Sequence, residues 1–174
     1  MDPRIGRRPR RAVFVGERST MSSADIRLLA DWDLAAAPER VWEALMRPAE
    51  WPQWWPTVTR AVVLAPGDAS GVGARLAFEW RTALPVRLAF EVLTTRVEPL
   101  ALIGGEASGA LTGRGAWLIR PTGSGTRVRY DWTMTVSAPG MRLAAPLARK
   151  AFAWNHAAAM RQGRDGLARR LGCA

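Results

Sequence analysis

The sequence predicts an α+β fold in which a seven-stranded, curved antiparallel sheet wraps around a long C-terminal helix, with two short helices between strands one and two. Three observations predict it. Six segments of period-2 alternation follow one another between residues 57 and 136, separated only by short Gly, Pro or Ser signals. From Met141 to Leu171 the alternation stops and Ala, Leu and Arg dominate. A further alternating segment near residue 26 precedes two proline-marked stretches that suit short helices.

Each element has its own justification. Ile26, Leu28, Ala30, Trp32 and Leu34 alternate with Arg27, Asp31 and Asp33, the pattern of a half-buried strand despite Leu29 on the polar side. Pro38 fits the first turn of a helix, Glu39 complements its positive end, and Val41, Trp42 and Leu45 form its apolar side. Pro48 stops that helix. Trp51-Pro52-Gln53-Trp54-Trp55-Pro56 is too proline-bounded for a long helix but suits one tight turn that buries several indoles and plugs one end of the core. Strands are expected near 57–64, 74–81, 86–97, 100–108, 111–120 and 126–136, with turns at Pro66-Gly67-Asp68 and Gly123-Ser124-Gly125. Short connections favour an antiparallel meander. In the terminal helix, which Pro146 begins or kinks, Phe152, His156, Met160, Gly163, Leu167 and Leu171 share one stripe, assigned to the side facing the sheet. Trp154 falls nearly opposite.

Length and charge narrow the function classes. The 174 residues, 48% apolar, suffice for one well-formed core. Residues 1–22 read as a disordered basic extension or a start-site artefact, and 23–174 as a single ligand-binding domain. The net charge of +10 sits at the ends: residues 1–20 hold six arginines against two acids, 142–174 hold seven basic residues against one acid, and 21–141 hold twelve of each sign. The sheet region therefore offers no phosphate-tracking stripe, and no nucleic-acid partner is expected. The basic terminal helix and Trp154 suit a transient membrane-surface contact, with a solvated face as the plain alternative. No apolar run approaches the roughly 20 residues needed to cross a bilayer, and no signal-peptide core follows the early arginines, so the expected compartment is cytoplasmic. One cysteine, Cys173, and one histidine, His156, cannot build a metal site without carboxylates, and no nucleotide-binding glycine motif is present. Neither metal nor cofactor is expected, and no obligate protein partner is evident.

The order strand, two short helices, six strands, long helix is that of the helix-grip fold. With Ala37-Pro38-Glu39-Arg40-Val41-Trp42, Trp51-Pro52-Gln53-Trp54-Trp55-Pro56, the glycine-spaced stretch from Ala107 to Trp117 and Phe152-Ala153-Trp154-Asn155-His156, the chain resembles the START-type superfamily. That superfamily, often grouped as SRPBCC, includes the birch pollen allergen and the polyketide cyclase/dehydrase family. The resemblance covers about residues 25 to 171 and implies a hydrophobic ligand held between sheet and C-terminal helix.

Facing assignments select the candidate site. Taking Gly109-Ala110 as a two-residue hairpin turn pairs Ser108 with Leu111, Glu106 with Gly113, Gly104 with Gly115 and Leu102 with Trp117. This places Glu106, Ser108, Leu102 and Trp117 inward and Thr112, Arg114 and Arg120 outward. Alternation also sends Phe78 and Trp80, Leu88, Phe90 and Val92, and Tyr130, Trp132 and Met134 inward. Phe152 and Met160 complete the lining from the helix. Gly104, Gly113 and Gly115 suit either strong sheet curvature or space for a ligand. An inward Glu106 among indoles needs a proton or a hydrogen bond. His156, with an ordinary pKa of about 6.5, suits acid/base work near neutrality, or a bonded core position.

The expected function is binding of a lipid, polyketide, quinone or similar apolar molecule. The alternative is a polyketide cyclase/aromatase or dehydratase in which Glu106, His156 and Tyr130 move protons. A protein- or membrane-docking module is the third reading.

Overall fold

The structure, a computed structural model, describes residues 25–81, 87–136 and 146–173. The expectations for residues 1–22 and for the helix before Pro146 lie outside the described residues. Strand β1 (Asp25–Leu34) leads into helix α1 (Pro38–Leu45), a 3-10 turn (Pro48–Glu50) and the one-turn helix α2 (Trp51–Trp54). Strands β2 (Val58–Ala65), β3 (Arg75–Arg81), β4 (Arg87–Glu98), β5 (Leu102–Gly109), β6 (Leu111–Thr122) and β7 (Gly125–Val136) follow, and helix α3 (Pro146–Leu171) comes last. All seven strands form one antiparallel sheet in the order β1-β7-β6-β5-β4-β3-β2, which is the helix-grip arrangement.

Local sequence explains each boundary. Pro38 occupies the first turn of α1, where its missing N–H removes nothing, and Glu39 sits in the same turn. Val41, Ala44 and Leu45 are the buried face. The β6–β7 hairpin closes through Gly123-Ser124, and the Pro99–Leu100 turn between β4 and β5 puts Leu100 at φ 61°, the left-handed region.

The core is built of indoles. Trp55 is fully buried, lies 5.5 Å from Trp32 and 5.1 Å from Trp80 between ring centroids, and donates from Nε1 to the Ala159 carbonyl on α3 at 2.8 Å. Helix α3 can come this close because Gly163 and Gly166 stand where any side chain would overlap: a Cβ on Gly163 would lie 2.5 Å from the Trp55 ring. Phe152, His156, Met160, Gly163, Leu167 and Leu171 are all buried, so the expected stripe faces the sheet, and Trp154 is 58% exposed on the other side. Thr57 Oγ1 donates to Gln162 Oε1 at 3.0 Å, and Arg170 pairs with Glu50, which fixes α2 against α3. On the outer face of β1 and β7, Arg27–Asp131, Arg129–Asp31 and Arg127–Asp33 form a cross-strand ladder. The arginine hydrogen bonds hold the Asp31 and Asp33 carboxyls below the usual carboxylate range.

One register differs from the expectation. Strand β5 pairs with β6 as Ile103 with Trp117, Gly105 with Gly115, Glu106 with Arg114 and Ala107 with Gly113, one residue away from the two-residue-turn pairing. The cause lies on β4. Gly109 takes φ 111° and stays paired with Phe90, while Ala110 N–H donates to the Ala89 carbonyl at 3.1 Å. The chain therefore follows β4 through Gly109 before reversing about Ala110. A one-residue slip exchanges the faces of a strand. Glu106 and Ser108 are exposed on the outer face, and their inward assignment is corrected.

Candidate functional site

A cavity of about 320 Å³ lies against the inner face of the sheet. Alternation places its walls: Phe78 and Trp80 come from β3, Phe90, Val92 and Thr94 from β4, Ile103 from β5, Trp117 from β6, and Tyr130, Trp132 and Met134 from β7. Leu45 and Met46 at the end of α1, Pro48, Trp51, and Pro66 and Gly71 from the β2–β3 connection complete the enclosure. Among the described residues no α3 side chain lines it, so the hollow opposes α1 and the β2–β3 connection, a correction to the expected seat under the C-terminal helix.

Gly115 has a physical account that neither sequence reading contained. Gly115 pairs with Trp132, and a Cβ on it would lie 2.4 Å from the base of that indole and 2.3 Å from the Asp131 carbonyl oxygen. A Cβ on Gly105 would lie 3.6 Å from the far tip of the same ring. The Trp132 indole thus occupies the space of a side chain at position 115 and reaches van der Waals contact with Gly105, whose own Cβ position is closed by the Leu93 carbonyl oxygen at 2.9 Å and Val92 at 3.0 Å. Gly104 and Gly105 also face the Thr94/Arg96 bulge of β4, where the sheet bends.

The lining is apolar and uncharged. No Asp, Glu, Lys, Arg or His contributes to it among the described residues; its polar atoms are the hydroxyls of Thr94 and Tyr130 and the indole nitrogens. Nε1 of Trp80 and of Trp132 are buried without a hydrogen-bond partner among the described residues. The rings pack on one another, with Trp117 and Tyr130 at 4.8 Å and Tyr130 stacked on Trp132 at 5.9 Å. Burial raises the Tyr130 hydroxyl above its ordinary range, so it is a hydrogen-bonding group and not a ready base.

The remaining candidates divide. His156 and Phe152 stand together at a separate void of about 30 Å³, whose walls include Tyr130 and Met134. Met160 is buried in the core and lines neither hollow, and Leu102 is buried outside both the hollows and the central core. Glu106 and Ser108 stand away from the cavity, so the trio Glu106, His156 and Tyr130 is not brought together. Sequence reasoning misses Thr94, which continues the Leu88, Phe90, Val92 alternation by one more step, and Ile103, which the register slip hides. Trp51, expected only in the plug, also walls the cavity and stacks on Phe78 at 5.4 Å. No cluster of three or more metal-ligating side chains occurs among the described residues. None of the described helices is long and apolar enough to cross a membrane.

Known proteins of this architecture are similar in structure and distant in sequence. A protein of Thermus thermophilus superposes with a TM-score of 0.64 at 20% identity, covering 82% of this chain and 97% of its own. A START superfamily protein of Mycobacterium smegmatis gives 0.65 at 16%, covering 85% and 97%. The Zhui aromatase/cyclase of Streptomyces sp. R1128 gives 0.66 at 13%, covering 85% and 93%. At these identities the likeness concerns the fold. No curated protein matches the chain in sequence. The family described as polyketide cyclase / dehydrase and lipid transport matches residues 26–172, almost the whole of the described region. The chain belongs to that polyketide cyclase/dehydrase and lipid transport family.

Proposed function

We propose that the protein binds a neutral, largely apolar small molecule of the lipid, polyketide or quinone kind in the cavity between the sheet and α1. One observation carries this reading: a hollow of about 320 Å³ walled by aromatic and aliphatic side chains, with no charged group among its described lining. Its size is within the range of small-molecule pockets, roughly 300–1,000 Å³. A ligand charge buried there would find no counter-charge to offset its desolvation, so the lining selects for neutrality. The Thr94 and Tyr130 hydroxyls and the indole N–H groups of Trp80 and Trp132, unpaired among the described residues, are the side-chain groups available to orient a ligand oxygen. Native mass spectrometry of freshly purified protein, followed by solvent extraction, is expected to release an uncharged apolar compound. An empty protein that also takes up no 1-aminoanthracene contradicts the reading.

Catalysis of the cyclase, aromatase or dehydratase kind is the second reading, favoured by the contact of the Tyr130 and His156 rings at 5.5 Å. Glu106 has no part in it, because that carboxylate stands on the outer face. If a poly-β-ketone is turned over, Tyr130→Phe and His156→Gln should abolish the reaction. Glu106→Gln should change the rate by no more than about twofold, the scale of a surface substitution.

A further inference from the structure

The small void lies behind the main cavity. Its volume of about 30 Å³ is enough to admit a small polar group. Trp80, Phe90, Tyr130 and Met134 line both hollows, so only side chains separate them. Met134 is the movable part of that partition, since an unbranched thioether side chain repacks more easily than a ring. On the far wall stands His156 of α3, 9% exposed, with its ring 5.5 Å from that of Tyr130. Its Nε2 is buried and has no hydrogen-bond partner among the described residues. A buried polar atom without a partner is unusual and calls for a cause. Burial pushes the imidazole pKa down to about 4, so at neutral pH the ring offers one N–H and one lone pair. The other described walls of the void, from Leu28 on β1 to Leu111 on β6 and Phe152 and Asn155 on α3, are uncharged, and Asn155 is polar.

We propose that His156 Nε2 is a terminal anchor for the ligand: a single uncharged oxygen, hydroxyl or carbonyl, reaches past Met134 into the inner void and hydrogen-bonds to this nitrogen. The ligand class narrows accordingly to a neutral apolar compound, with a ring system in the aromatic cavity and one oxygen at its inner end. The proposal rests on the ligand-binding reading above. It assigns His156 a binding role that needs no proton transfer.

The test uses the full chain with two probes of nearly equal shape, 2-naphthol and 2-methylnaphthalene. The chain contains one histidine, so ¹⁵N-histidine labelling yields a single pair of ring resonances. At pH 7, saturating 2-naphthol is expected to shift the Nε2 resonance and 2-methylnaphthalene to leave it in place. In His156→Phe, the ratio of the two dissociation constants should move about tenfold against 2-naphthol. If that variant does not fold, the resonance shift in the natural chain decides alone. Both probes binding while Nε2 stays unmoved overturns the anchor and leaves the cavity reading intact. Neither probe binding removes the anchor together with the cavity reading.

Discussion

At the scale of single residues, His156 makes the sharpest stability prediction. Its pKa falls from an ordinary value of about 6.5 to about 4 because burial disfavours the imidazolium, and among the described residues the titratable side chain in ring contact with it is Tyr130, which stays neutral over this range. Between those two values the unfolded chain takes up a proton that the folded chain refuses. This contribution to folding stability is therefore present above about pH 6.5 and is lost as pH falls toward 4. From pH 7 to pH 5 the loss is on the order of 2 kcal/mol. Urea denaturation at both pH values should show this component in the natural chain and not in His156→Phe; equal pH dependence in the two would refute the assignment. Glu106 teaches the opposite lesson. Its alternation with Gly104 and Ser108 is legible, but which face that row takes depends on the turn, and Gly109 at φ 111° follows β4 instead of closing on β6. A backbone angle set by a neighbouring strand leaves little trace in local sequence.

At the scale of elements, period-2 alternation locates every strand within one or two residues, because an antiparallel sheet with one buried face imposes that period directly. The faces of β3, β4, β6 and β7 are equally legible. What the pattern does not carry is the use made of the glycines: Gly115 is required because the Trp132 indole and the β7 backbone occupy its Cβ position. Gly115→Ala should cost about 1–3 kcal/mol, the scale of overpacking a filled site. Gly123→Ala is the matched control, since nothing lies within 4 Å of its Cβ position, and it should leave stability nearly unchanged. Equal midpoints for the two variants in denaturant would contradict the account. The Pro99–Leu100 turn offers a gain: Leu100 holds φ 61° while 36% exposed, so Leu100→Gly should raise stability by about 0.5–1 kcal/mol. A lower unfolding midpoint for Leu100→Gly would show that the turn depends on the leucine side chain.

At the scale of the whole molecule, the sequence indicates an aromatic-walled hollow but not its seat. The reason is how α3 docks. Gly163 and Gly166 let the helix press onto Trp54 and Trp55, and those indoles fill the space beneath it where the sequence places a ligand. The larger of the two hollows lies against α1 and the β2–β3 connection, with Trp51 in its wall. The central claim is that this volume receives uncharged apolar matter. Isothermal titration of the full chain with 2-methylnaphthalene and with 2-naphthoate, which differ chiefly in a carboxylate, tests it most directly. The account predicts that the neutral compound binds at least about a hundredfold more tightly, since the described lining provides no partner for a buried charge. Equal or tighter binding of the carboxylate, or no heat from the neutral compound at any concentration, would contradict it.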